Sequence, residues 1–157
     1  MHGAGDEARK MLLGIFRAAL RRVNGADCVA QAIAGLPSER SPEGPCHAVA
    51  VGKAASAMMR GAMEAVDIAA GLVITKYGHG EDFPGGRIEV VEAGHPVPDA
   101  LTLEAGRRLL GFLEGIPPGR PLIFLVSGGA SSLVEVLPRG VGMDQLAGIN
   151  AWLLSAG

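Results

Sequence analysis

Four short stretches of the chain hold the side chains that could do chemistry. In the first, the apolar run Leu122 to Val126 breaks into Ser127-Gly128-Gly129-Ala130-Ser131-Ser132, six residues with almost no side-chain bulk. Paired glycines let a ligand approach main-chain N–H groups, and a helix starting at Ser131 or Ser132 would turn its unpaired N–H groups toward the loop. A strand, a glycine loop and a helix start together suit the oxygens of a phosphate or carboxylate. In the second stretch, Gly52-Lys53 follows the short apolar run Ala48-Val49-Ala50-Val51. A lysine at a helix start is poorly placed against the helix dipole unless it faces an anion, and a solvated lysine is the alternative. The third stretch, Lys76-Tyr77-Gly78-His79-Gly80, follows Gly71 to Thr75, and the fourth, Glu92-Ala93-Gly94-His95-Pro96-Val97-Pro98-Asp99, follows Ile88 to Val91. His95, restricted between Gly94 and Pro96, is a group that positions or binds a substrate, or else one that makes a structural hydrogen bond. Lys76 and Tyr77 read equally well as surface, and Asp99 reads better as a helix cap than as an acid.

Several familiar chemistries do not fit. The phosphate-loop pattern fails because His47 stands where its first glycine belongs and Ala54 follows the lysine. The nucleophile elbow fails because Gly129-Ala130-Ser131-Ser132-Leu133 ends in leucine. A dinucleotide fingerprint fails too, since Val51 to Ser56 contains one glycine and not three. Neither His79 nor His95 has a ligand partner at helical spacing, so no metal-binding residue is assigned.

The elements that must position these groups alternate. Asp6 to Val23 has helical periodicity, and a shorter helix capped by Asp27 runs to about Ala34. A helix opens at Gly52-Lys53 and runs to about Val66, with Met58, Met59 and Met63 as core filling. Another spans Ala100 to Glu114 behind Asp99, and a last one spans Asp144 to Ser155; Leu133 to Leu137 reads as either helix or strand. The run Leu122 to Val126 reads as a strand buried on both faces. Strands alternating with helices predict an α/β fold, a Rossmann-like, open, mainly parallel sheet with helices on both faces in three layers. The segments before the strands carry ordinary turn residues, while those after them carry Lys53, Lys76, His79, His95 and the serine loop. In such a sheet ligands bind beyond the carboxyl ends of the strands, so four polar loops would gather at one edge.

With 157 residues, 48% of them hydrophobic, the chain suits one domain with a real core. A net charge of −2 and 4% aromatic content give no support to nucleic-acid binding. The polar start and the lack of a long apolar run predict neither a signal peptide nor a membrane span. Cys28 and Cys46 form no metal spacing, and reduced thiols in a cytoplasmic protein are the expectation.

Val51-Gly52-Lys53-Ala54-Ala55, Gly71 to His79, Glu92 to Asp99 and Val126 to Leu133 occur in that order, and together they resemble the N-terminal domain of the two-domain (class II) glycerate 2-kinases, whose members are often labelled hydroxypyruvate reductase. The resemblance covers most of the chain from about Ala48 onward. It implies ATP-dependent phosphorylation of D-glycerate at its 2-hydroxyl with Mg²⁺, and a Rossmann-like domain facing a smaller second domain. Carried over by motif, Lys53 is the catalytic group that neutralises phosphate charge. Ser127, Gly128, Gly129, Ala130, Ser131 and Ser132 bind substrate or phosphate oxygens, and His95, Lys76 and His79 shape the glycerate pocket. Family members run well past residue 157, so the resemblance also implies a truncated chain lacking the second domain. The rival expectations are an oxidoreductase of the hydroxypyruvate reductase type and a non-catalytic fragment that binds a sugar acid or another anion. The sequence leaves a homo-oligomer open.

Overall fold

The computed structural model describes residues 3–156. Two helices, α1 (Gly3–Arg22) and α2 (Gly25–Ala34), precede the first strand, β1 (Cys46–Val51). Then follow α3 (Ala55–Ala65), β2 (Ile68–Lys76), β3 (Ile88–Ala93), α4 (Ala100–Glu114) and β4 (Leu122–Val126). A single turn, α5 (Ala130–Leu133), and α6 (Met143–Ala156) complete the chain. The four strands form one parallel sheet in the order β3-β2-β1-β4. In register, Val49 lies opposite Leu72 and Phe124, and Val51 opposite Ile74 and Val126.

The alternation of side chains along a strand divides the core into two. Cys46, Ala48, Ala50 and Val73 face α2 and α3, where they meet Val29, Met58, Met59 and Ala62. Val49, Val51, Leu72 and Ile74 face α4 and α5, where they meet Ala105, Leu109 and Leu133. Helices therefore cover both faces, giving the three-layer α/β/α arrangement expected from the alternating elements. The central residues of β1 and β2 are fully buried, each large side chain contributing about 1.5–3 kcal/mol. Among the described residues no helix is long and apolar enough to cross a membrane.

The structure departs from the sequence reading at several points. β4 is an edge strand with one covered face: Ile123 and Leu125 join the α3-side core, while Leu122, Phe124 and Val126 are 41%, 47% and 62% exposed. α4 packs mainly on β3 and β2, so among the described residues one side of a run that looks doubly buried is left largely open. The cap of α2 is Asn24, whose side chain accepts from the N–H groups of Ala26 and Asp27, so Asp27 falls inside the first turn. Residues 134–137 continue as neither helix nor strand after the single turn of α5. The α1 face carrying Met11, Ile15, Phe16 and Leu20 is amphipathic as the periodicity predicts, yet exposed.

Candidate functional site

The helices that follow β1 and β4 leave the sheet on opposite faces, α3 on one side and α5 on the other. Between two such neighbouring strands the loops diverge and open a crevice beyond the carboxyl edge, which is where ligands enter sheets of this kind. The loops that diverge here are Gly52-Lys53-Ala54 and Ser127-Gly128-Gly129.

Hydrogen bonds stitch the floor of the crevice. Ser127 N–H donates to the Val51 carbonyl at 2.9 Å, and Lys53 N–H to the Gly128 carbonyl at 3.1 Å. The Ser127 hydroxyl accepts from Ala54 N–H at 3.1 Å and lies 3.4 Å from the Val51 carbonyl oxygen, to which it donates. Ser127 thus caps α3 from a neighbouring strand, because Ala54 at the N-cap has no side chain able to do so. Gly52, at φ 122°, lies so close to Ser127 that a Cβ would collide with it.

Above that floor stand the groups free to meet a ligand. Gly129, at φ 91°, begins the α5 turn in the left-handed region. A Cβ there would lie 2.6 Å from His95 Nε2 and 3.4 Å from Lys53 Cγ, so these two side chains flank Gly129 directly. The N–H groups of Gly128 and Gly129 have no protein acceptor among the described residues. His95, Gly129, Ser131 and Ser132 form one wall of a cavity of about 310 Å³, opposite Leu146, Ile149, Asn150 and Leu153 of α6. Asn150 Nδ2 donates to the Pro96 carbonyl at 3.1 Å and holds α6 against the His95 loop, in which the His95–Pro96 peptide is cis. A cation, two exposed main-chain donors, the Ser131 hydroxyl and an imidazole suit a small anion with oxygens to share.

The other residues singled out in the sequence have different surroundings. The Ser132 hydroxyl is turned inward, donating to the Gly129 carbonyl at 3.1 Å, and Ala130 packs against the α4-side core. α5 is one turn long, too short to bring a substantial dipole to the loop. Lys76 ends β2 opposite Ala93, and neither it nor His79 lines the cavity. The His79 main chain is tied down instead: its carbonyl accepts from Ser56 Oγ at 2.8 Å, and its N–H donates to Glu92 Oε1 at 3.0 Å. N–H donors from Gly80, Gly78 and His79 outweigh the effect of burial and hold the Glu92 carboxyl below the usual range.

Sequence reasoning missed the part played by α6, because Asn150 lies in an amphipathic helix with no motif around it. It also missed the link between Tyr77 and Asp99, whose side chains meet at 2.5 Å from separate loops. Burial pushes the Asp99 carboxyl up, but Tyr77 O–H and the N–H groups of Gly94, Thr102 and Leu101 outweigh it and hold the group below its ordinary value. The same bond pushes the Tyr77 hydroxyl up.

Comparison with known proteins gives a consistent picture. A D-glycerate 2-kinase of Thermotoga maritima is 42% identical over 111 residues, covering 69% of this chain and 26% of that protein. A protein of Agrobacterium vitis carrying a provisional hydroxypyruvate reductase name is 39% identical over 155 residues, covering 96% of this chain and 33% of its own length. The crystal structure of a glycerate kinase from Thermotoga maritima superposes with a TM-score of 0.80 at 34% identity, over 97% of this chain and 36% of that one. The chain thus spans about a third or less of the curated relatives it matches. The family model described as a domain of unknown function, DUF4147, matches residues 11–157, and the chain belongs to that family.

Proposed function

We propose that this chain is the N-terminal, Rossmann-like part of a cytoplasmic glycerate 2-kinase, which transfers a phosphoryl group from ATP to the 2-hydroxyl of D-glycerate. The observation that carries the reading is the meeting of Lys53 and His95 on either side of Gly129, at the crevice between β1 and β4. Phosphoryl transfer asks a protein mainly for positioning and for stabilisation of charge on the transferring oxygens. Lys53 would supply the positive charge, and the N–H groups of Gly128 and Gly129 would supply oriented dipoles. His95 and Ser131 would hold the hydroxy acid in the cavity walled by α6. Ser127 and Ser132 would act by shaping the loop, their hydroxyls being engaged within the protein.

Among the described residues no group of three His, Cys, Asp or Glu side chains is arranged to hold a metal ion. The residues present do not fit a Mg²⁺ site of their own, and no step is assigned to one. The relatives' greater length suits the idea that a second domain faces this crevice across a cleft.

The oxidoreductase reading meets a geometric objection. A dinucleotide pyrophosphate needs open space over the glycine turn after the first strand, and here Ser127 fills the space over Gly52.

The test is an ATP-dependent assay with D-glycerate, run on this chain and on the protein extended to the length of its relatives. The expected product is 2-phosphoglycerate from the extended protein, with Lys53→Ala lowering kcat by about 100-fold or more. Reduction of hydroxypyruvate by NADH with ATP untouched would replace the kinase reading by the oxidoreductase one. Binding of D-glycerate without turnover in either form would leave an anion-binding domain.

A further inference from the structure

Asp99 caps α4, and one of its carboxylate oxygens is enough for that task. Oδ1 accepts from Leu101 N–H at 3.0 Å and from Thr102 N–H at 3.2 Å, and Thr102 Oγ1 receives Asp99 N–H in return, closing a capping box. The same oxygen takes Gly94 N–H at 3.3 Å, reaching back to the residue before His95. The cap leaves Oδ2 unused, and Tyr77 donates to it at 2.5 Å from the turn that follows β2. Tyr77 is 50% exposed, so burial of its ring does not explain why it stands there. From the capping box a second path leads to the serine loop: Thr102 Oγ1 donates to the Ser132 carbonyl at 3.0 Å, and Ser132 Oγ to the Gly129 carbonyl at 3.1 Å. Two of the loops around the crevice are therefore fastened to the Asp99 carboxylate, and the serine loop to its capping partner Thr102.

We propose that Asp99 and Tyr77 are positioning residues of this crevice, the Tyr77–Asp99 bond holding the His95 loop so that the imidazole stays against Gly129 at the wall of the cavity. The proposal rests on the reading of the crevice as a hydroxy-acid site. It treats Asp99 as more than a helix cap and Tyr77 as more than a surface residue. Tyr77 touches no substrate in this arrangement. Its effect reaches the ligand only through the loop that carries His95.

Two variants separate this role from a merely structural one. Tyr77→Phe removes the hydroxyl alone. Asp99→Ser keeps a good capping oxygen but is too short to reach Tyr77. Each is compared with the unaltered chain by thermal melting, by the NMR signals of the His95 imidazole and the Gly129 amide, and by calorimetric titration with D-glycerate. Both variants are expected to melt within a few degrees of the parent, to move the His95 and Gly129 signals, and to weaken D-glycerate binding about 10-fold. Unmoved His95 and Gly129 signals together with an unchanged dissociation constant in Tyr77→Phe would overturn the proposal. If neither the unaltered chain nor the protein extended to the length of its relatives binds D-glycerate, the hydroxy-acid reading falls, and the NMR signals alone decide the positioning role: displaced signals uphold it and unmoved ones end it.

Discussion

Ser127 shows how a residue can be found for one reason and used for another. Its place in a serine- and glycine-rich loop after a strand suggests an anion ligand, but its hydroxyl caps α3 through Ala54 N–H and donates to Val51. Ser127→Ala is accordingly expected to cost about 1 kcal/mol of stability, the usual value of a lost cap, measured by urea unfolding. Affinity for phosphate or D-glycerate should fall far less than in Lys53→Ala. Lys53, His95 and Gly129 stand out in the sequence as candidates because each follows a strand in an unusual local setting: a cation at a helix start, an imidazole before proline, a glycine beside a glycine. Tyr77 and Asn150 have no such setting. Their importance comes from partners 22 and 54 residues away, and no local pattern records a contact at that separation.

At the scale of elements, strands and helices with strong periodicity were readable, and the cap of α4 at Asp99 was visible from its position just before an apolar-periodic run. The cap of α2 lies three residues before Asp27, because Asn24-Gly25-Ala26-Asp27 offers two good capping residues and the chain uses the first. The two carboxylates that fasten loops to elements, Glu92 and Asp99, tie stability to pH. Both have folded-state values lowered from the ordinary range, against about 4.3 and 3.9 when unfolded. Their contribution is fully present above those unfolded values and is lost as the pH falls through the lowered folded ones. The melting temperature is expected to change little between about pH 7 and 5 through these groups, and then to drop below about pH 4. In the double variant Glu92→Gln, Asp99→Asn the acid drop should be shallower, as read by circular dichroism melts across that range.

For the whole molecule, the order β3-β2-β1-β4 matches four of the six strands of a doubly wound sheet, and among the described residues it leaves β4 with an unpaired edge and an open apolar face. Such a strand invites pairing with another chain. The chain is expected to self-associate as its concentration rises, and Phe124→Lys, on the open face, should lower the apparent mass in sedimentation experiments without loss of helix signal. Neither the edge nor the open face could be read from Leu122-Ile123-Phe124-Leu125-Val126, since a one-sided strand and a two-sided one are equally apolar when the partner lies outside the segment. The crevice itself closes only when β4 docks on β1, and the Ser127–Val51 contact that seals it joins residues 76 positions apart. On a ribosome adding about 5–20 residues each second, β1 would wait roughly 4–15 s for that partner to be made. A nascent chain can therefore hold β1, α3, β2 and β3 together while still unable to grip an anion, and gains that ability only once β4 has docked.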